Sequence, residues 1–159
     1  VSTDCAYYVG NANRTIAFGQ IGVNLTDNNP GAAFEMVGVA PTVDIDTNLA
    51  GCNSRNRVTL SKVNMVNNSA QVQGFDSNQF TDTIKFTADA NYAAGAVGSS
   101  SAVNASSNQI SLGADETSED KTHGAWKSAM RVRLAMANPG KGLVAGDYAG
   151  SVTVNISAY

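Results

Sequence analysis

Two long stretches of the chain alternate apolar and polar residues with a period of two, and this pattern restricts the fold more than any other feature. Alternation of this kind is typical of an antiparallel strand with one buried and one solvated face. The first stretch is Trp126–Met136 and the second covers residues 146–159. The residues predicted to face the core are Trp126, Met130, Val132, Leu134 and Met136 in the first, and Tyr148, Val152, Val154 and Ile156 in the second.

The rest of the chain repeats the strand pattern in shorter pieces, and helical periodicity is nearly absent. The composition, with many Asn, Ser, Thr and Gly residues, suits strands and turns. Residues 93–107 and the acidic residues 115–120 are predicted loops, and no internal repeat is visible. We therefore expect one all-β domain over residues 1–159, with an immunoglobulin-like β-sandwich as the architecture. Further strands are predicted at 15–18, 57–63, 70–75, 81–88 and 109–112.

Length and charge exclude several classes of protein. A chain of 159 residues with 43% hydrophobic residues can bury a substantial core as one domain. The formal net charge is −3 and no basic run is present, which argues against a nucleic-acid partner. Apolar runs are only a few residues long, so no membrane insertion is expected.

The two cysteines, Cys5 and Cys52, form an even count in a chain with the composition of a surface protein. We predict a disulfide between them, and hence an oxidising compartment. The alternative is two separate buried thiols, as in many cytosolic proteins.

One short motif suggests a metal site, but it is incomplete. Asp44-Ile-Asp46-Thr-Asn48 begins like a calcium-binding loop, yet it lacks the required Gly, and Arg55 stands where the closing Glu should be. A strand with outward-facing Asp44 and Asp46 explains the residues better. We predict no metal site and no cofactor.

No set of residues points to catalysis. The only histidine, His123, lies beside Gly124 in a predicted loop, and no Gly-x-Ser-x-Gly motif is present. The acidic cluster has no spacing that would pair two carboxylates for acid–base work, and a solvated loop explains it. We therefore expect no catalytic residue and a protein that is not an enzyme. The cluster consists of Asp115, Glu116, Glu119 and Asp120.

Three features together resemble the subunits of chaperone–usher pili, including the group with spore-coat-U-like domains. An early Cys5 is followed by Thr15-Ile-Ala-Phe18-Gly19-Gln-Ile21, and Cys52 precedes a predicted strand. The chain closes with an alternating strand that has Gly146 at its start. The resemblance spans the whole chain. It implies that the positions contacting a chaperone or donor strand are Gly146, Tyr148, Val152, Val154 and Ile156.

The resemblance implies an immunoglobulin-like sandwich that lacks its last strand. Such a fold leaves an apolar groove and an unpaired strand edge, which a donor strand from a partner completes. The implied partners are neighbouring pilin subunits, a periplasmic chaperone and an outer-membrane usher. The implied location is the fimbrium on the cell surface, reached through the periplasm, with roles in adhesion or biofilm formation.

The chain departs from the family pattern at both ends. The family usually places an aromatic residue at the penultimate position, whereas here Ala158 precedes Tyr159. Shaft subunits usually carry a donor segment before the first Cys, whereas only four residues, 1–4, precede Cys5. We expect either that this segment was removed or that the domain accepts a strand without donating one.

A second hypothesis belongs to a different class. The chain would be a self-contained β-sandwich adhesin whose loops, such as residues 93–107 or 115–123, recognise a host ligand or glycan. The aromatic content of 7% argues against a sugar site built from stacked rings.

Overall fold

The structure, a computed structural model, describes residues 1–8, 14–25, 30–38, 40–69, 73–99 and 108–159. These residues form β-strands and no helix, so the expected all-β class is confirmed. Those ranges contain no helix long and apolar enough to cross a membrane. The strands are β1 (Cys5–Tyr7), β2 (Thr42–Cys52), β3 (Asn56–Asn67), β4 (Phe80–Thr81), β5 (Thr83–Ile84), β6 (Phe86–Tyr92), β7 (Asn108–Leu112), β8 (Ser118–His123), β9 (Trp126–Met136), β10 (Gly142–Leu143) and β11 (Tyr148–Ala158).

Two antiparallel sheets make up most of the fold. The first has the order β1-β2-β9-β6-β7, with β9 at its centre. In the second, β3 is central: β11 pairs along one of its edges, while β8 and β5 pair along the other. A short parallel pair, β10 with β4, lies outside both sheets.

Residues of both sheets contribute to one hydrophobic core. The alternating residues of β9 point inward, and Val132 is 0% exposed at its centre. The inward face of β3 contributes Val58 and Leu60, each also 0% exposed. Trp126 is 8% exposed and joins this core, as its position in the alternation predicts.

The predicted disulfide is present, and it fastens the first strand to the second. Cys5 and Cys52 lie directly opposite each other in the β1–β2 pair and are bonded. Two neighbouring pairs, Ala6 with Gly51 and Tyr7 with Ala50, continue the ladder. The bridge therefore holds a strand of only three residues at the edge of the first sheet.

Two predicted loops and one predicted strand differ from the structure. Residues 118–123 form β8, paired in register with β3, although their side chains up to Thr122 are exposed. The loop prediction for residues 115–120 and for His123 was therefore wrong in part, because pairing to a neighbouring strand rather than an apolar pattern creates this strand. Residues 15–18, predicted as a strand, form no strand in the structure.

The remaining strand predictions correspond to observed elements only in part. Residues 57–63 and 109–112 lie within β3 and β7, but 81–88 is divided among β4, β5 and β6. In the predicted strand at 70–75, residues 70–72 lie outside the described residues and 73–75 are not a strand. In the predicted loop at 93–107, residues 93–99 carry no strand and 100–107 lie outside the described residues.

Candidate strand-binding groove

The last strand, β11, lies at the edge of its sheet, and its apolar side chains are only half-buried. It pairs with β3 along one side, and its other side has no partner strand in the described ranges. Val152, Val154 and Ile156 pack against the core yet remain partly exposed. By contrast, their cross-strand neighbours Leu60 and Val58 are 0% exposed.

The hydrogen-bond pattern of β3 shows which backbone groups of β11 are free. Residues in an antiparallel ladder alternately turn their N–H and C=O toward one neighbour and then toward the other. The Lys62 N–H donates to the Thr117 carbonyl at 2.8 Å, on the side of β3 away from β11. On the other side, the Tyr159 N–H donates to the Arg55 carbonyl at 3.2 Å. Lys62 lies opposite Val152, so the backbone of Val152 is turned away from β3.

The same alternation applies to Val154 and Ile156, which lie two and four residues further along β11. At all three positions the N–H and C=O point to the open edge, while the side chain points to the core. A strand added at this edge would place the residue directly opposite each of them on the same inward face. The edge therefore determines which residues of an added strand lie opposite these three positions, and that the side chains of those residues face the core.

The edge of β2 is also open over most of its length in the described ranges, and β2 contacts β11. β1 covers only Ala50, Gly51 and Cys52. The Met136 N–H donates to the Pro41 carbonyl at 3.1 Å, so by alternation Val43 and Ile45 turn their backbones toward β9. Their side chains are half-buried, like those of β11. We call the open edges of β2 and β11, with the half-buried side chains beside them, the strand-binding groove.

Residues 14–21 contact the core without adding a strand to either sheet. Earlier in the chain, the Tyr8 N–H donates to the Leu49 carbonyl at 3.0 Å. The segment following residues 14–21 is anchored where the Val37 N–H donates to the Gly22 carbonyl at 3.1 Å. Phe18 and Ile21 contact the core but remain half-buried. Within the described ranges, 14–21 make no backbone hydrogen bond.

Two of the five predicted groove residues, Gly146 and Tyr148, act at the start of β11. A Cβ added at Gly146 would lie 2.5 Å from Ser69 Oγ and 2.6 Å from Asn67 Oδ1, and the φ of this residue is +142°. Any other residue at this position would therefore both clash and be strained. The Tyr148 hydroxyl donates to the Val144 carbonyl at 2.6 Å. Both residues fix the path by which the chain enters β11.

A bulge separates this entry from the groove. Ala149 pairs with Val66 and Ser151 with Val63, so Gly150 faces two residues of β3. A Cβ at Gly150 would lie 2.3 Å from the Val63 carbonyl oxygen. The extra residue lies in β3, whose buried phase shifts from Leu60 and Lys62 to Met65 and Asn67, while Val152, Val154 and Ile156 keep the same inward phase as Tyr148.

The opposite end of the core holds a buried polar and aromatic cluster. His123 is 1% exposed, and its Nδ1 donates to the Gly95 carbonyl at 3.2 Å. Its Nε2 then accepts from the Tyr92 hydroxyl at 2.7 Å. The Tyr92 ring stacks on Trp126 with centroids 4.7 Å apart, and Trp126 Nε1 donates to Asn56 Oδ1 at 2.9 Å.

Burial is the main cause of the unusual acid–base properties of this cluster. It lowers the pKa of His123 and raises the pKa of Tyr92. The neutral imidazole is therefore favoured, and both of its ring nitrogens have partners. No motif in the sequence indicates this cluster, because its members come from four strands and only His123 and Trp126 are close in the chain.

The buried ammonium group of Lys62 was also not predicted from the sequence. Lys62 is 4% exposed, and its Nζ donates to Asn64 Oδ1 and to the Ala114 carbonyl, each at 3.0 Å. The same Nζ lies 5.2 Å from the centroid of the Phe86 ring. Burial lowers the pKa of this lysine. The alternation of β3 would have placed an apolar residue here.

The aspartates of the incomplete calcium-binding motif, Asp44 and Asp46, form ion pairs with arginines instead. Arg133 donates to both carboxylate oxygens of Asp44 at 2.7 and 2.9 Å. Arg131 donates to both oxygens of Asp46 at 2.7 and 3.2 Å. Arg133 lowers the pKa of Asp44 chiefly through this hydrogen bond. The described residues contain no group of three or more His, Cys, Asp or Glu side chains that could hold a metal.

The chain matches no protein-family model, no curated protein and no solved structure. The function of the protein is therefore inferred from the geometry of the chain itself.

Proposed function

We propose that this protein is a structural subunit of a bacterial surface fimbria, polymerising by exchange of a donor β-strand. In this proposal the fold is an incomplete immunoglobulin-like sandwich, and a strand from a neighbouring subunit occupies the strand-binding groove. The observation that supports it most is the open edge of β11, where free backbone groups and half-buried apolar side chains belong to the same three residues.

Val152, Val154 and Ile156 combine outward-turned backbone groups with half-buried apolar side chains. This combination matters because an exposed edge of this kind is normally protected. Natural sheets block such edges with charges, proline or inward-pointing polar residues. Here β11 carries no charged residue and no proline between Tyr148 and Ala158. An unprotected edge beside apolar side chains is the arrangement that strand addition uses, with main-chain bonds for affinity and side-chain positions for specificity.

The exposed edge supports a partner that supplies a strand, and the resemblance to pilus subunits implies which partners these would be. A neighbouring subunit would supply the donor strand in the fibre, and a periplasmic chaperone with an outer-membrane usher would protect and deliver the subunit before assembly. The Cys5–Cys52 disulfide is consistent with export to an oxidising compartment. The fibre would serve adhesion or biofilm formation at the cell surface.

The direct test uses a synthetic peptide with valines at alternate positions, designed to pair with residues 152–156 of β11. We expect the peptide to raise the melting temperature of the protein in a concentration-dependent way, because it binds only the folded state. A control peptide of the same composition, in which the valines are placed next to one another, should have a smaller effect.

Two matched variants locate the effect. Val154→Arg places a charge on the inward face of the groove, whereas Thr153→Arg places the same charge on the outward face of the same strand. The peptide should stabilise the Thr153→Arg variant and not the Val154→Arg variant. Equal stabilisation of both, or none of the unaltered protein, would favour the alternative of a self-contained sandwich that binds through its loops.

A second measurement tests assembly. Material taken from the native surface should give a ladder on an unheated denaturing gel that collapses to one band after heating, because strand-exchanged subunits separate slowly. A single monomer band in both lanes would contradict the fimbrial proposal.

A further inference from the structure

Two arginines and a tyrosine form an exposed cluster at one end of the second sheet, independent of the groove. The guanidinium carbons of Arg55 and Arg57 lie 5.3 and 5.6 Å from the centroid of the Tyr159 ring. The hydrogen bond from the Tyr159 N–H to the Arg55 carbonyl holds the ring in place. Tyr159 as a whole is still 55% exposed. We call these three residues the basic platform.

The arginines of the platform differ from those of the first sheet, because no carboxylate of the described residues neutralises them. Arg131 and Arg133 each bind an aspartate through two nitrogens. In contrast, no carboxylate in the described part of the chain lies within 4.0 Å of Arg55 or Arg57. Two guanidinium groups thus share one ring in a protein with net charge −3. Their mutual repulsion favours binding of an anion between them.

The surface next to the platform offers mostly neutral hydrogen-bonding groups. In register beside Arg57 are Ser157 of β11 and Thr122 of β8. The next outward-facing row contains Asn155, Thr59 and, on β8, the carboxylate of Asp120. The outward face of β11 continues with Thr153 and Ser151, both exposed. The platform therefore stands at the end of a face rich in hydroxyl and amide groups.

We propose that the basic platform binds an acidic polysaccharide by the carboxylate of a uronic acid residue. Planar guanidinium groups bind a carboxylate with paired hydrogen bonds. The exposed ring of Tyr159 offers an apolar face to a sugar ring, and the neighbouring hydroxyl and amide groups match sugar hydroxyls. An acidic peptide fits less well, because the residues beside Arg57 in the sheet offer no apolar contact for its side chains.

The proposal is tested with polygalacturonate as the probe, by isothermal titration calorimetry at low ionic strength. The double variant Arg55→Gln/Arg57→Gln should weaken binding about tenfold or more, since charge-assisted contacts are lost. The matched control is Arg131→Gln/Arg133→Gln, which changes the net charge equally but removes only neutralised arginines. It should bind like the unaltered protein, and circular dichroism should show that both variants are folded.

Two further probes give the opposing outcomes. Neutral dextran should not bind, and binding of polygalacturonate should weaken as salt is raised. Equal or tighter binding of polyglutamate would replace the polysaccharide with an acidic polypeptide and overturn the proposal. The proposal is also wrong if polygalacturonate does not bind, or if both double variants lose binding to the same extent.

Discussion

Strands β9 and β11 have the same length and equally clean alternation, but they occupy opposite kinds of position. Each has 11 residues, with apolar residues on one face. β9 lies between β2 and β6, and its Val132 is 0% exposed. Within the described ranges, β11 pairs with a strand on one side only, and its Val154 is half-buried. Alternation thus fixes which face is apolar, whereas the number of neighbouring strands decides how completely that face is buried.

This difference in burial also separates the residues that stabilise the fold from those that are available for binding. The side chains of β9 are fully used by the fold, so their contacts contribute to the free energy of unfolding. Those of β11 retain exposed apolar area, and that area is available to an added strand. The contrast can be tested with variants that act on one region and not on the other.

The largest expected effect comes from the disulfide, which fixes β1 to the edge of β2. The variant Cys5→Ala/Cys52→Ala should lower the free energy of unfolding by about 4 kcal/mol, because the bridge closes a loop with a sequence separation of 47 residues. Urea denaturation of the oxidised protein and of the variant measures this. A loss below about 1 kcal/mol would mean that the bridge does little to restrict the unfolded chain.

The next effect compares the two strands with the same substitution. Val132→Ala should cost about 2–3 kcal/mol, since it removes fully buried methyl groups and leaves a cavity. Val154→Ala should cost about 1 kcal/mol or less, since its side chain is partly exposed. Equal costs in urea denaturation would show that β11 is as well packed as β9.

The same two variants, Val132→Ala and Val154→Ala, test whether a bound strand removes the difference between their costs in stability. With the alternating-valine peptide at saturation, the cost of Val154→Ala should rise toward that of Val132→Ala, because the added strand buries this side chain. The cost of Val132→Ala should stay the same. An unchanged cost at Val154 would mean that the peptide binds elsewhere.

A smaller effect concerns the buried cation beside β3. Lys62→Met should leave stability unchanged or raise it, because it removes a buried charge that contacts no carboxylate. Both acceptors keep a donor: Phe86 N–H for Asn64 Oδ1, and Asn64 Nδ2 for the Ala114 carbonyl. Asn64→Ala should instead cost about 2 kcal/mol, since it leaves buried donors unsatisfied. Thermal unfolding of both variants decides this, and a large loss in Lys62→Met would contradict it.

The smallest expected effect is a dependence of stability on pH that arises from His123 in the buried polar and aromatic cluster. Burial lowers the pKa of His123 in the folded state, so the unfolded chain binds the proton more readily. The contribution of the neutral imidazole is complete above about pH 6.5, the ordinary pKa of histidine, and is lost as the pH falls below it. Urea denaturation between pH 8 and pH 5 measures the slope. His123→Gln should flatten it, and an equal slope in that variant would exclude His123 as its source.

Much of the fold follows from local pattern, but two strands show its limits. β9 and β11 were predictable because their side chains alternate along the strand itself. β8 was not, because residues 118–122 are exposed and polar, and only the hydrogen bonds to β3 make them a strand. Residues 15–18 alternate, yet no neighbouring strand pairs with them in the described ranges.

The candidate site was predictable to the same degree. Val152, Val154 and Ile156 were predicted to share an inward face, and they do. Gly146 and Tyr148 were grouped with them, but the structure places both at the entry to β11. The free backbone edge depends on the register between β3 and its neighbours, which no residue pattern within β11 encodes.

The sequence by itself determined the all-β class, the pairing of its two cysteines and the apolar face of each long strand, because these depend on side-chain period and on cysteine number. Tertiary structure decided which strand lies at the centre and which at the edge. It also decided where the buried cluster of His123, Tyr92 and Trp126 lies and which arginines remain without a carboxylate. These features depend on contacts between residues distant in the chain, and local side-chain preferences do not specify such contacts.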